Sequence, residues 1–221
     1  MLQKTLFLII MLVGVRSAAA QTAAAVPTDD VQLWNDVQIA VPLNGSVDMN
    51  FTGSFRLGRN LTHPVSERGG VSFSFKARKF LTLETGYLYV ASQPSEGRKS
   101  YNSTLSAGAT IKFPIRRFVV SSRSQFERRF RSPQVDSNRY RHRMRIETPV
   151  KIGERKFNVF VSNELFYDFR QSEWTRNRFA AGMNKKLSKN LSYEWYYMRQ
   201  NDGRSRPGDL HILGSILKVQ L

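Results

Sequence analysis

The 221-residue chain contains no cysteine. No disulfide can brace it and no thiolate can hold a metal, so its stability must come from a packed core, a closed barrel or surrounding lipid. Histidine is scarce as well: His63, His142 and His211 never fall at the His-x-His or His-x-x-x-His spacing that chelates a metal. No cofactor is therefore expected. Acidic residues number 17 against 34 Lys and Arg, a formal net charge of +17. Only one long apolar run occurs, Leu6 to Val15, well short of the roughly 20 residues that carry a helix across a bilayer.

What that run does offer is a secretory signal. It follows Lys4 and precedes the small residues Ala18, Ala19 and Ala20, an A-x-A cleavage pattern before Gln21. The expected organisation is a signal peptide over 1–20, a short tail over 21–30 and a single domain over 31–221. Removing Lys4 and Arg16 takes the charge from +17 to +15. Such a balance suits nucleic acid, an anionic membrane surface or acidic solutes, and export argues against nucleic acid.

From Val31 onward the chain alternates with period two in segments of about nine to thirteen residues bounded by Gly, Pro, Asn, Asp and Ser. Strands are expected near 31–41, 46–57, 70–79, 81–91, 100–113, 117–131, 138–150, 156–169, 174–187, 190–200 and 209–221. Their connections alternate between short ("PLNGS", Lys79-Phe80, "PIR", "IGERK", "LSKN") and longer, polar ones ("RNLTHPVSERGG", "QPSEGRK", "SPQVDS", "RQSE", "NDGRSRPG"). This is the pattern of an all-β, antiparallel up-and-down transmembrane barrel of 10–12 strands, with tight periplasmic turns and longer external loops. A soluble lipocalin-like barrel would also alternate.

Strand parity separates the two. One face carries Phe51, Phe55, Phe73, Phe75, Leu105, Val159, Val161 and Leu217, among other large apolar side chains. Turned inward they would crowd a small interior; facing lipid they make the usual apolar band. The opposite face holds "NRYRHRMRIE", with arginine at every second position: Arg139, Arg141, Arg143 and Arg145. One lipid-facing Arg at the midplane costs about 2–4 kcal/mol, so four would cost roughly 8–16, more than a typical domain's stability. The row must face the interior. On the same face lie Arg123, Glu127 and Arg129 before it, and Glu147, Glu164, Asp168, Arg176, Arg178 and Glu194 after it. Carboxylates beside arginines can form bidentate pairs that balance charge and fix strand register. The set reads either as a static network filling a narrow barrel or as a positive path that admits anions.

The run "SSRSQFERRFR…SNRYRHRMRIETPVKI…FNVFVSNELFYDF…RNRFAAGMNKKLSKNLSYEWYYMRQ…HILG" resembles an uncharacterised bacterial family, a domain of unknown function formed by outer-membrane β-barrels. The likeness runs from Trp34 to the end and is densest between Arg123 and Gln200. It implies fold and compartment and brings no activity. Two features depart from the usual pattern: the last strand ends in Leu221 rather than an aromatic residue, and eleven segments are counted where single-chain bacterial barrels have an even number. Ten strands follow if the Trp34 segment is not a full wall strand, twelve if one strand is unrecognised.

Catalysis finds little support. His63 falls in an expected loop, His142 and His211 on the lipid face, and Ser103 is the nearest serine candidate. Carboxylates set among arginines suit salt bridges better than general acids. The expectation is a non-enzymatic, monomeric barrel of the outer membrane, structural or pore-like. Its expected partners are outer-membrane lipid, the barrel-assembly machinery during insertion, and small anionic solutes. The alternatives are a lipid- or lipopolysaccharide-modifying enzyme and a soluble periplasmic binder.

Overall fold

Period-two alternation becomes eleven strands in the computed structural model, which describes residues 27–221. The expected signal segment 1–20 and most of the tail 21–30 lie outside the described residues. The strands are β1 (Asp29–Pro42), β2 (Val47–Gly58), β3 (His63–Arg78), β4 (Leu81–Ser92), β5 (Ser100–Ile115), β6 (Phe118–Ser132), β7 (Ser137–Ile152), β8 (Arg155–Asp168), β9 (Glu173–Lys186), β10 (Leu191–Asp202) and β11 (Asp209–Gln220). Each pairs antiparallel with its sequence neighbours, and β1 closes the ring against β11.

The choice between ten and twelve strands is corrected to eleven. An odd up-and-down count leaves the first and last strands running the same way, so closure has to be parallel. It is: Asp29 pairs with Asp209 and the register holds to Ala40 and Gln220. The Trp34 segment is a full wall strand, paired to β2 on its other side from Leu33 with Leu57 to Pro42 with Asp48.

A second correction concerns "RNLTHPVSERGG". Pro64 and the Gly69-Gly70 pair suggest a loop, yet only residues 59–62 connect β2 to β3. The pairing of β2 with β3 shifts at Arg56/Leu57, and Pro64 sits beside this irregularity, near the strand's start, where a missing N–H is tolerated. Beyond it, Ser66 to Gly70 pair with β2 and with β4. His63 accordingly begins a strand. At one end of the barrel the connections are two to four residues long (43–46, 79–80, 116–117, 153–154, 187–190), and at the other four to seven (59–62, 93–99, 133–136, 169–172, 203–208).

The outer wall is apolar. Phe51, Phe73, Leu83, Leu105, Phe126, Ile146, Val161 and Leu213 are each more than two-fifths exposed on it. Aromatic rings gather toward both ends of this wall. Phe126, Phe169, Tyr167, Trp174 and Tyr140 touch in sequence, with centroids 5.1–6.4 Å apart, toward the long-loop end. Phe157, Trp195 and Tyr193 do so toward the short-turn end.

The inner wall is not uniformly polar. Trp34, Phe160, Ala180, Tyr196, Leu210 and Ile212 form a buried cluster inside the ring, on the sector from β8 round to β1. Gly214 belongs to the same packing: a Cβ there would lie 2.1 Å from the Tyr196 ring, so the ring occupies the space a side chain would need.

Candidate functional site

Antiparallel pairing sets the basic row of β7 between two acidic strands. Glu127 on β6 stands opposite Arg139, and Glu164 on β8 stands opposite Arg143. Long arginine side chains then reach diagonally as well as straight across. Glu127 accepts from Arg139 Nε and from Arg141 Nη1, both at 2.7 Å. Glu164 accepts from Arg141 at 2.9 Å and from Arg123 at 3.0 Å, and lies 3.9 Å from Arg178. Arg141 thereby joins both carboxylates, which are buried.

Other pairs close the ring at two levels. Arg129 binds Asp168 and Ser137 near the long-loop end. Arg145 reaches Glu194 on β10 at 3.1 Å and Glu147 on its own strand at 2.8 Å. A bond from β7 to β10 passes two intervening strands and can only cross the barrel interior. Arg176 pairs with Asp202 at 2.5 Å, and Lys218 with Glu194 at 2.9 Å. All thirteen charged residues singled out from the sequence thus come together inside the ring, and all but one of them make an ion pair. The exception is Arg143, which has neither an ion pair nor a side-chain hydrogen bond among the described residues.

The arginines also stack on the buried aromatic rings. Four guanidinium carbons, of Arg139, Arg141, Arg176 and Arg178, lie 4.9–5.5 Å from the Phe166 centroid. Arg145 lies 3.5 Å from Phe160. Around Trp34 stand Arg56 at 3.3 Å, Arg178 at 5.1 Å and Arg68 at 5.8 Å. Aromatic faces attract cations, most strongly away from water.

Two cavities remain inside. One, of about 740 Å³, opens toward the short-turn end and is bordered by Lys186, Lys189 and Lys218. The other, of about 500 Å³, runs toward the long loops and is lined by eleven arginines against four carboxylates. They share a wall that includes Thr52, Arg123, Arg143, Arg145 and Glu194.

Sequence reasoning left out Trp34, Arg68, Asp202 and Lys218. Arg68 and Trp34 were hidden by the misread start of β3 and the doubtful status of β1. Asp202 stands directly opposite Arg176, a pairing that counting back from the 203–208 connection would have found.

Candidate nucleophiles lie on the outer wall. Ser103 hydrogen-bonds Tyr87 at 3.0 Å and makes no contact with a histidine. Ser124, missed in the sequence, is 3.2 Å from His142 Nδ1 and 2.9 Å from Tyr140. Only the β6 to β7 register brings them together. His142 has no carboxylate or amide to orient it among the described residues, which an activated serine would require. The pair also sits on the seventh of fifteen residues of β6, halfway up the wall and away from either rim. His211, also on the outer wall, bonds Tyr197 at 2.6 Å and Arg199 at 2.5 Å.

The chain belongs to a family described as a protein of unknown function, DUF2490, whose model matches residues 31–210. This agrees with the resemblance drawn from its arginine strands. No curated protein matches the chain. Among solved structures it is similar to LpxR from Salmonella typhimurium, with a TM-score of 0.51 and 10% identity over 79% of this chain and 83% of that one. It is also similar to the anion-selective porin from Comamonas acidovorans, with a TM-score of 0.40 and 14% identity over 80% of this chain and 54% of that one. At such identity the first likeness is one of fold, and the second is too slight to support more.

Proposed function

We propose that this protein is an outer-membrane β-barrel whose arginine-rich interior admits or holds small anions, with no catalytic role. The location rests on the closed ring of strands, the apolar outer wall and the aromatic clusters toward both of its ends, which match the lipid-facing band and girdles of such barrels. Strands of 12–16 residues are long enough, since about 9–11 tilted residues cross a bilayer.

One observation carries the functional reading: the cavity toward the long loops has seven more arginines than carboxylates, eleven against four. Pairing neutralises part of the set, including Arg129, Arg145 and Arg176 through Asp168, Glu147 and Asp202 outside that lining, and the smaller surplus that remains includes Arg56, Arg68 and Arg143, which make no ion pair among the described residues. Rings of Arg and Lys bias pores toward anions. Eleven strands fall between the roughly eight whose interior side chains just fill and the 16–18 that leave an open channel. The two adjoining cavities are what such an intermediate size leaves.

Planar-bilayer recording tests this. Wild-type barrels should pass anions in preference to cations, with selectivity fading as the Debye length falls from about 10 Å at 0.1 M salt to about 3 Å at 1 M. Arg143→Glu removes a positive charge that has no partner and adds a negative one, so selectivity should move toward cations with the ion pairs left in place. Absence of current from well-folded barrels over a range of voltages would reject passage. Cation selectivity in the wild type would reject the anionic preference.

A further inference from the structure

Three interior arginines with positive neighbours and too little negative charge gather at one point. Arg56, Arg68 and Arg178 converge on Trp34, with guanidinium carbons 3.3, 5.8 and 5.1 Å from its ring centroid. Arg56 is buried, 7% exposed, and makes no ion pair and no hydrogen bond among the described residues; its Nε has no acceptor at all. Arg68 has a single hydrogen bond, 3.4 Å to Ser66 Oγ. Arg178 donates to Gln200 at 2.8 Å and has Glu164 at 3.9 Å, a carboxylate already bound to Arg123 and Arg141.

Asp36, next on the inner face of β1 after Trp34, forms no ion pair among the described residues. Beside it on β2, Ser54 Oγ is also buried without a partner. One carboxylate cannot balance three guanidinium groups, and buried donors left unbonded are costly. All these groups line the same cavity of about 500 Å³, which is large enough for a small solute.

We propose that the cluster of Arg56, Arg68 and Arg178 around Trp34, together with the Ser54 hydroxyl, is a binding site for a small oxyanion of the phosphate or carboxylate class. A guanidinium presents parallel N–H groups that match two oxygens of such an anion, which a spherical halide cannot satisfy. The Arg56 Nε and Ser54 hydroxyl supply the donors that are otherwise unbonded. The site rests on the anion-favouring interior proposed above, and it does not require that the barrel conduct.

Trp34 reports on it directly. The other two tryptophans, Trp174 and Trp195, lie on the outer wall, and replacing both with phenylalanine leaves Trp34 as the sole indole. The refolded barrel in detergent is titrated with inorganic phosphate at constant ionic strength made up with chloride. The site predicts a saturable change in Trp34 emission, and a half-saturation raised at least tenfold in Arg56→Gln and in Arg68→Gln. Arg68→Lys keeps the charge but loses the fork, and should also weaken binding. In the unmodified protein, phosphate should raise the unfolding temperature where chloride of equal ionic strength does not, a comparison that needs no variant to fold.

A response that does not saturate, or that is equal in chloride, overturns the site. So does unchanged half-saturation in folded Arg56→Gln and Arg68→Gln. Saturable phosphate binding by barrels that carry no current would remove passage and leave the site standing. Anion-selective current without saturable phosphate binding would do the reverse.

Discussion

Glu164→Gln removes one negative charge from the centre of the interior network while keeping the side chain's shape. Glu164 is 6% exposed and accepts from Arg141 at 2.9 Å and Arg123 at 3.0 Å. Arg141 retains Glu127 in the variant, whereas Arg123 loses its only carboxylate. Breaking a buried pair by removing one partner costs about 3–5 kcal/mol, a roughly 100- to 4,000-fold loss in the folding equilibrium constant. The comparison is Glu147→Gln. That side chain is 27% exposed, and its partner Arg145 keeps Glu194. A partly solvated pair of this kind, whose arginine has a second carboxylate, is worth about 1 kcal/mol or less. Urea unfolding in lipid vesicles, followed by tryptophan fluorescence, measures both. Glu164→Gln within about 1 kcal/mol of wild type, or no worse than Glu147→Gln, would refute the view that Glu164 ties the network together.

Facing assignments give a second test. Ile146→Arg on the outer wall should cost about 2–4 kcal/mol if it lies near the midplane, whereas Thr52→Arg, which lines both cavities, should change stability by less than about 1. Similar costs would refute the facing assignment, and a larger cost for Thr52→Arg would mean the faces are reversed; vesicle unfolding of the two variants decides it. Gly214→Ala should cost about 1–3 kcal/mol by pushing a methyl into the Tyr196 ring, and Tyr196→Leu in the same chain should recover part of that loss. A double variant whose cost is the sum of the two would show that the ring and the glycine are not coupled.

Period-two alternation made the wall legible in the sequence, because each strand buries one face and leaves the other against a different medium. Ten of the eleven strands fall within two residues of their expected ends. The exception is β3: Pro64, Gly69 and Gly70 obey local rules for a loop, and the long-range pairing with β2 and β4 overrides them. That misreading concealed Arg68, and with it the cluster at Trp34. The charged set on β6 to β10 was visible because arginine cannot face lipid in a row. Which arginine meets which carboxylate was not, since bonds that skip a strand, such as Arg123 past Arg143 to Glu164, depend on barrel curvature rather than on spacing. The buried Trp34, Phe160 and Ile212 were hidden for a related reason: an apolar residue on the inner face breaks the alternation that identifies that face.

Single-cysteine labelling tests the electropositive interior and the apolar outer wall at once, in a chain with no cysteine of its own. Ser162 lines the inner cavity, and its neighbour Val161 is exposed on the outer wall. In lipid vesicles, Ser162→Cys should react with a small anionic thiol reagent several times faster than with a cationic one of similar size, and Val161→Cys should resist both. Faster labelling of Ser162→Cys by the cation would overturn the positive interior, and labelling of Val161→Cys ahead of Ser162→Cys would overturn the assignment of the two faces.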